Sequence, residues 1–222
     1  MKTRMTGVGG LSRKVLATLI VAAMPGLGLA NDVYMEQIGD NSNISITQTG
    51  AGNLINGNVG GSGNNDDAAI IRGDLNDVTI SQIGASNTVS LIINNETSGT
   101  GSTVVISALG SGNNQTIGCG TALSSTCNAS VIRSEIVGNN NNTVQTLSGG
   151  VVQSKINING SYNNVTHTAS GVGLHNGEIT VSGSGTSGAP TGVTLTQSGV
   201  SNKNAVITSN GSSNTINITQ SD

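Results

Sequence analysis

The sequence predicts an all-β fold: a β-solenoid of strand-turn units about eleven residues long, two to a coil, with asparagine and glutamine side chains stacked in ladders. Three observations carry this. A Gln-x-Gly mark, or a variant that keeps only its glycine, recurs at Gly39, Gly50, Gly61, Gly73, Gly84, Gly99, Gly110, Gly138, Gly149, Gly160, Gly171, Gly188, Gly199 and Gly211, mostly at steps of eleven or twelve residues. Apolar residues alternate after each mark, and period two is the signature of a strand buried on one face. The chain has no Trp, no Phe and only two Tyr, so β-branched aliphatic residues must fill a thin core, with Gly and Asn at the corners.

The first thirty residues stand apart from the repeat. Lys2, Arg4, Arg13 and Lys14 precede an apolar stretch from Val15 to Leu29, and Gly28 with Ala30 gives a small-x-small end. This reads as a secretory signal peptide over 1–30, cleaved after Ala30. Pro25 and nearby glycines interrupt the apolar run before it could span a bilayer, so no membrane insertion is expected after cleavage. Cleavage leaves four basic residues against eleven acidic ones, about −7 in charge. Such a surface does not neutralise phosphates, and two tyrosines are no stacking platform for bases, so nucleic acid is excluded as a partner.

From Asn31 to Asp222 the repeat runs almost unbroken. Three residues after the mark stands an asparagine at Asn53, Asn64, Asn76, Asn87, Asn113, Asn141, Asn163, Asn202 and Asn214, or Ser42, Ser102 and Thr191. The marks at Gly149 and Gly171 lack it. Strands follow, with Ile44 and Ile46, Val78 and Ile80, Val89 and Leu91, Val104 and Ile106, Val193 and Leu195, and Ile216 and Ile218 on one face. Ser42 and Gln48 share the phase of Ile44 and Ile46, so the interior is apolar at the centre and lined by amides at the corners. Buried amides are costly unless paired. Stacking each on its own copy one coil away pairs them, as in cross-β assemblies. Insertions are expected near 94–98, near 172–187, and as a longer loop near 118–127.

Gln37-Ile-Gly39 with Ser42, Ile44, Ile46 and Gln48, then Gln82-Ile-Gly84 with Asn87 and Val89, Gln197-Ser-Gly199 with Asn202, and the closing Ile216, Ile218 and Gln220 resemble the curlin repeat, found in the subunits of the bacterial functional amyloid curli. The resemblance covers essentially the whole chain after Ala30, and about four half-repeats match it strictly. It implies a secreted, extracellular, cell-surface fibre subunit that polymerises end to end for adhesion and biofilm matrix, with itself and a related curlin subunit as partners, after passing outer-membrane secretion machinery. It maps the ladder onto Gln37, Gln48, Gln82, Gln197, Gln220, Asn53, Asn76, Asn87, Asn202 and Asn214, with Ile44, Ile46, Ile216 and Ile218 between. Many glutamine positions depart from the pattern, holding Val59, Ile71, Ala108, Ile136, Leu147 or Ile158. A minor, nucleating or divergent subunit therefore fits as well as a major one.

The remaining motifs have plainer readings. Cys119 and Cys127 fall in one insertion of an exported chain, and a loop-closing disulfide is expected. His167 lies on the inward phase and reads as a core histidine rather than a metal ligand, and no metal or cofactor is expected. "GGSGNNDDAAI" resembles a single turn of a calcium-binding nonapeptide, but an oxygen cage needs six or more ligands. No nucleophile elbow or aromatic-lined carboxylate pair is present, so no enzyme is expected. The alternative to a fibre subunit is a non-polymerising solenoid that binds a surface or ice, although Thr79, Thr88, Thr103, Thr194, Thr196, Thr215 and Thr219 do not form a regular outward array.

Overall fold

A computed structural model describes residues 3–6, 16–22, 31–38, 42–57, 69–72, 76–94, 103–118, 131–148, 152–171 and 175–222. Among them the chain is all β, with no helix. Strands alternate between two parallel sheets. Sheet A holds β1 (Thr3–Thr6), β3 (Asp32–Ile38), β5 (Leu54–Asn56), β6 (Ala69–Arg72), β8 (Thr88–Ser90), β9 (Ile92–Asn94), β11 (Asn114–Ile117), β13 (Asn142–Ser148), β15 (Asn163–Ser170), β17 (Thr191–Ser198) and β19 (Thr215–Gln220). Sheet B holds β2 (Leu16–Ala22), β4 (Asn43–Thr49), β7 (Asp77–Ile83), β10 (Thr103–Leu109), β12 (Val131–Val137), β14 (Val152–Asn159), β16 (His175–Ser182) and β18 (Lys203–Asn210). The strands β1 and β2, within the expected signal peptide, pair in parallel with β3 and β4.

Two pairs of short strands in sheet A are halves of single layers. Asp32 and Val33 of β3 pair with β5, while Met35 to Ile38 pair with β6, and β5 and β6 continue onto β8 and β9. The eleven strands of sheet A therefore make nine layers against eight in sheet B. This corrects the repeat at Gly61. The advance from Asn43 to Asp77 takes 34 residues rather than the basic 22, and the extra chain falls between β5 and β6. Gly61, Asn64 and Val59 themselves lie outside the described residues, but no separate layer separates β5 from β6.

Further insertions lengthen later layers. The advance is 26 residues from Asn87 to Asn113 and 28 from Asn113 to Asn141, which leaves room for extra residues near 94–98 and near 118–127. Most of those residues, with Cys119 and Cys127, lie outside the described set. Within the insertion expected near 172–187, residues 175–182 belong to β16, in register with β14, Val152 facing His175. The added residues instead form a small turn closed by Thr186 and Ala189, so Gly188 is a turn residue and Gly183 marks the corner.

Alternation sets the core as the sequence predicts. In β4, Ile44 and Ile46 are buried together with Ser42 and Gln48, while Asn43 is exposed. Val, Ile, Leu and Ala make up the buried apolar clusters, Met35 being the one other type. Full burial of each large aliphatic side chain stabilises by about 1.5–3 kcal/mol. At the last layer the core is open on one side, where Ile216 and Ile218 of β19 are half-buried.

Candidate assembly surface and amide ladders

From β4 onward a tight corner takes the chain from sheet B to sheet A in each layer. Seven glycines, from Gly50 through Gly84, Gly110, Gly138, Gly160 and Gly183 to Gly211, stack there with positive φ. At Gly138 φ is 136°, and a Cβ would overlap the carbonyl of Gly160 one layer on. Only glycine permits both the left-handed backbone and this approach.

The corner leaves backbone groups that no strand pairing satisfies, and asparagines satisfy them. Asn53 donates from its backbone N at 2.9 Å and from Nδ2 at 3.2 Å to Asn31 Oδ1. Its Nδ2 also donates to Gly84 O at 3.0 Å. The same set repeats at Asn87, Asn113, Asn141 and Asn163, with side chain to side chain distances of 3.0, 3.0, 3.0 and 2.9 Å. Every member from Asn53 to Asn163 is at most 1 % exposed. From Asn31 to Asn141 each Oδ1 accepts two bonds, and from Asn53 to Asn163 each Nδ2 donates to an asparagine and to a glycine carbonyl, which removes the penalty of burying an amide. The column stops at Thr191, and Asn163 Oδ1 is left unpaired.

Glutamines behave differently. Gln48 Nε2 donates to Gln82 Oε1 at 2.7 Å in sheet B, and Gln197 Nε2 donates to Gln220 Oε1 at 2.8 Å in sheet A. Each pair is one step long, because Ala108 follows Gln82 in register and Ala169 precedes Gln197. Gln37 is not in a ladder, since its register neighbour is Ile71 and its Nε2 donates to Ser42 Oγ at 3.2 Å. Asn76 and Asn202 also stand outside the asparagine column, at the opposite corner, where Asn76 faces Ser42 and Asn202 precedes Lys203, whose register neighbour is His175. Asn214 leaves it too, turning to Ser209 Oγ and Asn210 O. Conversely, Asn31, Asn113, Asn141 and Asn163 are ladder members that lack the strict glutamine companion. Their signal was position alone, three residues after a glycine, or for Asn31 the matching place before the first mark.

A buried polar line runs between the sheets toward the last layer. His167 Nδ1 meets Ser154 Oγ at 2.7 Å, and its Nε2 meets Gln197 Oε1 at 2.9 Å. Because Gln197 Nε2 already donates to Gln220, its Oε1 is the acceptor, so His167 Nε2–H donates and Nδ1 accepts from Ser154. Gly177 stands opposite, where a Cβ would crowd the imidazole. Burial lowers the His167 pKa, the Gln197 bond opposes this, and His175 lowers it further. Burial also lowers the His175 pKa, reinforced by Lys203. Ser154 and His167 are enclosed, at 2 % and 0 % exposure, so the pair faces packed core rather than a cleft.

The last corner carries charge. Asp222 Oδ2 accepts from Val200 N at 3.3 Å, Ser201 N at 3.0 Å and Ser201 Oγ at 2.7 Å, while its Oδ1 pairs with Lys203 Nζ. The Lys203 bond, then the Ser201 bond, hold its carboxyl well below the usual carboxylate range. At the opposite corner a backbone N–H just after the glycine makes a comparable contact with the next layer, where Ser161 N donates to Ser184 Oγ at 2.9 Å. Asp222 thus supplies an oxygen where a following layer would. Beyond it, β18 and β19 each pair on one side only among the described residues. No group of three or more metal-ligating side chains occurs among the described residues. No family model, curated protein or solved structure matches the chain.

Proposed function

We propose that the two sheets are the faces of a β-solenoid, and that the chain is a secreted structural subunit which assembles end to end into extracellular cross-β, curli-like fibres for adhesion and biofilm matrix. The observation that carries this reading is the edge formed by β18 and β19. Among the described residues each of these strands is paired on one side only, beside a half-buried Ile216 and Ile218. An uncovered strand edge is a template for another chain. The parallel in-register stacking and the asparagine column are the interactions that hold cross-β fibres together. The partners in this reading are further copies, a related subunit and an outer-membrane secretion apparatus.

One observation favours the alternative of a monomeric binding module. Asp222 and Lys203 close one corner of the last layer, a partial cap that the repeat pattern does not predict. Seeded growth followed by thioflavin T separates the two. Ile218→Lys places a charge on the last core position and is expected to slow elongation strongly, while Thr219→Lys, on the exposed face, changes it little. Growth of Ile218→Lys at the unsubstituted rate would give the lead to the binding module.

A further inference from the structure

The two sheets do not hold equal numbers of layers. Among the described residues sheet A has nine and sheet B eight, and from β3 onward the numbers are eight and seven. Among the described residues the path therefore runs from a sheet A strand to a sheet A strand, whether it is followed from β1 or from β3. Strand spacing is about 4.8 Å. If a second copy docks in the same orientation, with its β3 on β19, its β4 lies two strand spacings from β18, about 9.6 Å away. Every junction would then leave a strand-wide slot in sheet B, with the edge of β18 unpaired.

We infer, on the fibre reading above, that successive copies stack head to tail with a half-turn about the fibre axis, β4 of the next copy on β19 and β3 of the next copy on β18. The rotation exchanges the sheets and closes both junctions at one strand spacing. It also preserves parallel pairing, because a chain that crosses a short corner such as Gly50 to Asn53 runs in opposite senses in the two sheets.

The glutamine pairs supply an independent argument. Gln48–Gln82 lies in sheet B at the first end, and Gln197–Gln220 in sheet A at the last end. Only the half-turn brings the two into one column, stacking Gln48 of the next copy on Gln220, Ile44 on Ile216 and Ile46 on Ile218. The polarity also matches. In both pairs Nε2 of the earlier residue donates to Oε1 of the later one, so Gln220 Nε2 would donate to Gln48 Oε1. That oxygen is fully buried and has no hydrogen-bond partner. In the unprocessed chain β2 covers this edge, with Val21 at the register of Gln48, so the junction requires its removal.

Cysteine cross-linking between exported, processed variants tests the geometry, in a Cys119→Ser, Cys127→Ser background. Fibres grown from a mixture of Thr219→Cys and Thr47→Cys chains are expected to form disulfide-linked dimers on oxidation, and a mixture of Thr219→Cys and Glu36→Cys chains is not. Cross-linking through Glu36, through both partners equally, or through neither would overturn the half-turn while leaving the fibre reading intact. Helical reconstruction of unsubstituted fibres measures the same rotation directly. A rotation near a half-turn per subunit, beyond the twist that the strands accumulate, supports the inference, and one near zero overturns it. Exported protein that forms no fibres sinks the functional reading itself.

Discussion

The asparagine column and the glutamine pairs occupy the same kind of interior position, yet one runs through six consecutive layers and the other never exceeds two. The difference lies in what the backbone needs. At the glycine corner the carbonyl of each glycine and the amide of each asparagine have no strand partner, so Asn113, for example, satisfies Gly138 O and Asn141 N as well as other side chains. Within the strands the backbone is already paired. A glutamine there reaches a neighbouring glutamine and a backbone carbonyl, as Gln82 Nε2 does with Asn87 O at 2.9 Å, but it holds no backbone N–H of the next layer, and Ala108, Ile136, Ile158 and Val181 take its place in later layers.

The strongest way to break the contrast is at the corner itself. Gly138→Ala forces a Cβ against Gly160 O at positive φ, and is expected to cost more than about 4 kcal/mol, read as a loss of folded protein in urea titration. Next comes Asn113→Ala, which removes its bonds to Asn87 and Gly138 and strands the backbone N of Asn141 and one of its two Nδ2 bonds. Leaving several buried groups unpaired is expected to cost about 3 kcal/mol or more in the same assay. If Asn113→Ala costs no more than a surface substitution, the column is incidental.

Thr191→Asn sharpens the comparison in the other direction. It offers the unpaired Asn163 Oδ1 a donor and is expected to stabilise by about 1 kcal/mol, seen as a higher urea midpoint. Gln82→Leu should cost about 1 kcal/mol, less than Asn113→Ala, since it takes the acceptor from Gln48 Nε2 and the donor from Leu54 O and Asn87 O but puts an aliphatic group of similar size beside Ala108. His167 has the smallest effect at neutral pH, where it is uncharged. Its folded pKa is lowered, so the stability it contributes is full above the ordinary histidine range and is lost as pH falls through it. His167→Gln, copying Gln145 at the same register position, should flatten that part of the pH–stability profile.

Much of this was legible in the sequence, and the rest was hidden for physical reasons. Period-two alternation placed Ile44, Ile46, Val78 and Ile80 in the core, because side-chain direction in a strand depends only on parity. Position after a glycine pointed to Asn53 and Asn87. The insertion between β5 and β6 was not legible, because its glycines and asparagines imitate the repeat, and only the pairing of both strands with β3 separates insert from layer. The two corners could not be told apart either. Both carry glycine followed by a polar residue, so Asn76 and Asn202 looked equivalent to Asn53 until the register placed them on the other side. Asp222 at the register of Gly199 depends on contacts between layers that local pattern does not encode.

Fibre diffraction from the purified chain that begins at Asn31 tests the central claim most directly. If the described layers stack from copy to copy as they do within one chain, aligned fibres will give a meridional reflection near about 4.8 Å. Protein that stays monomeric at high concentration with its β content intact would contradict the account.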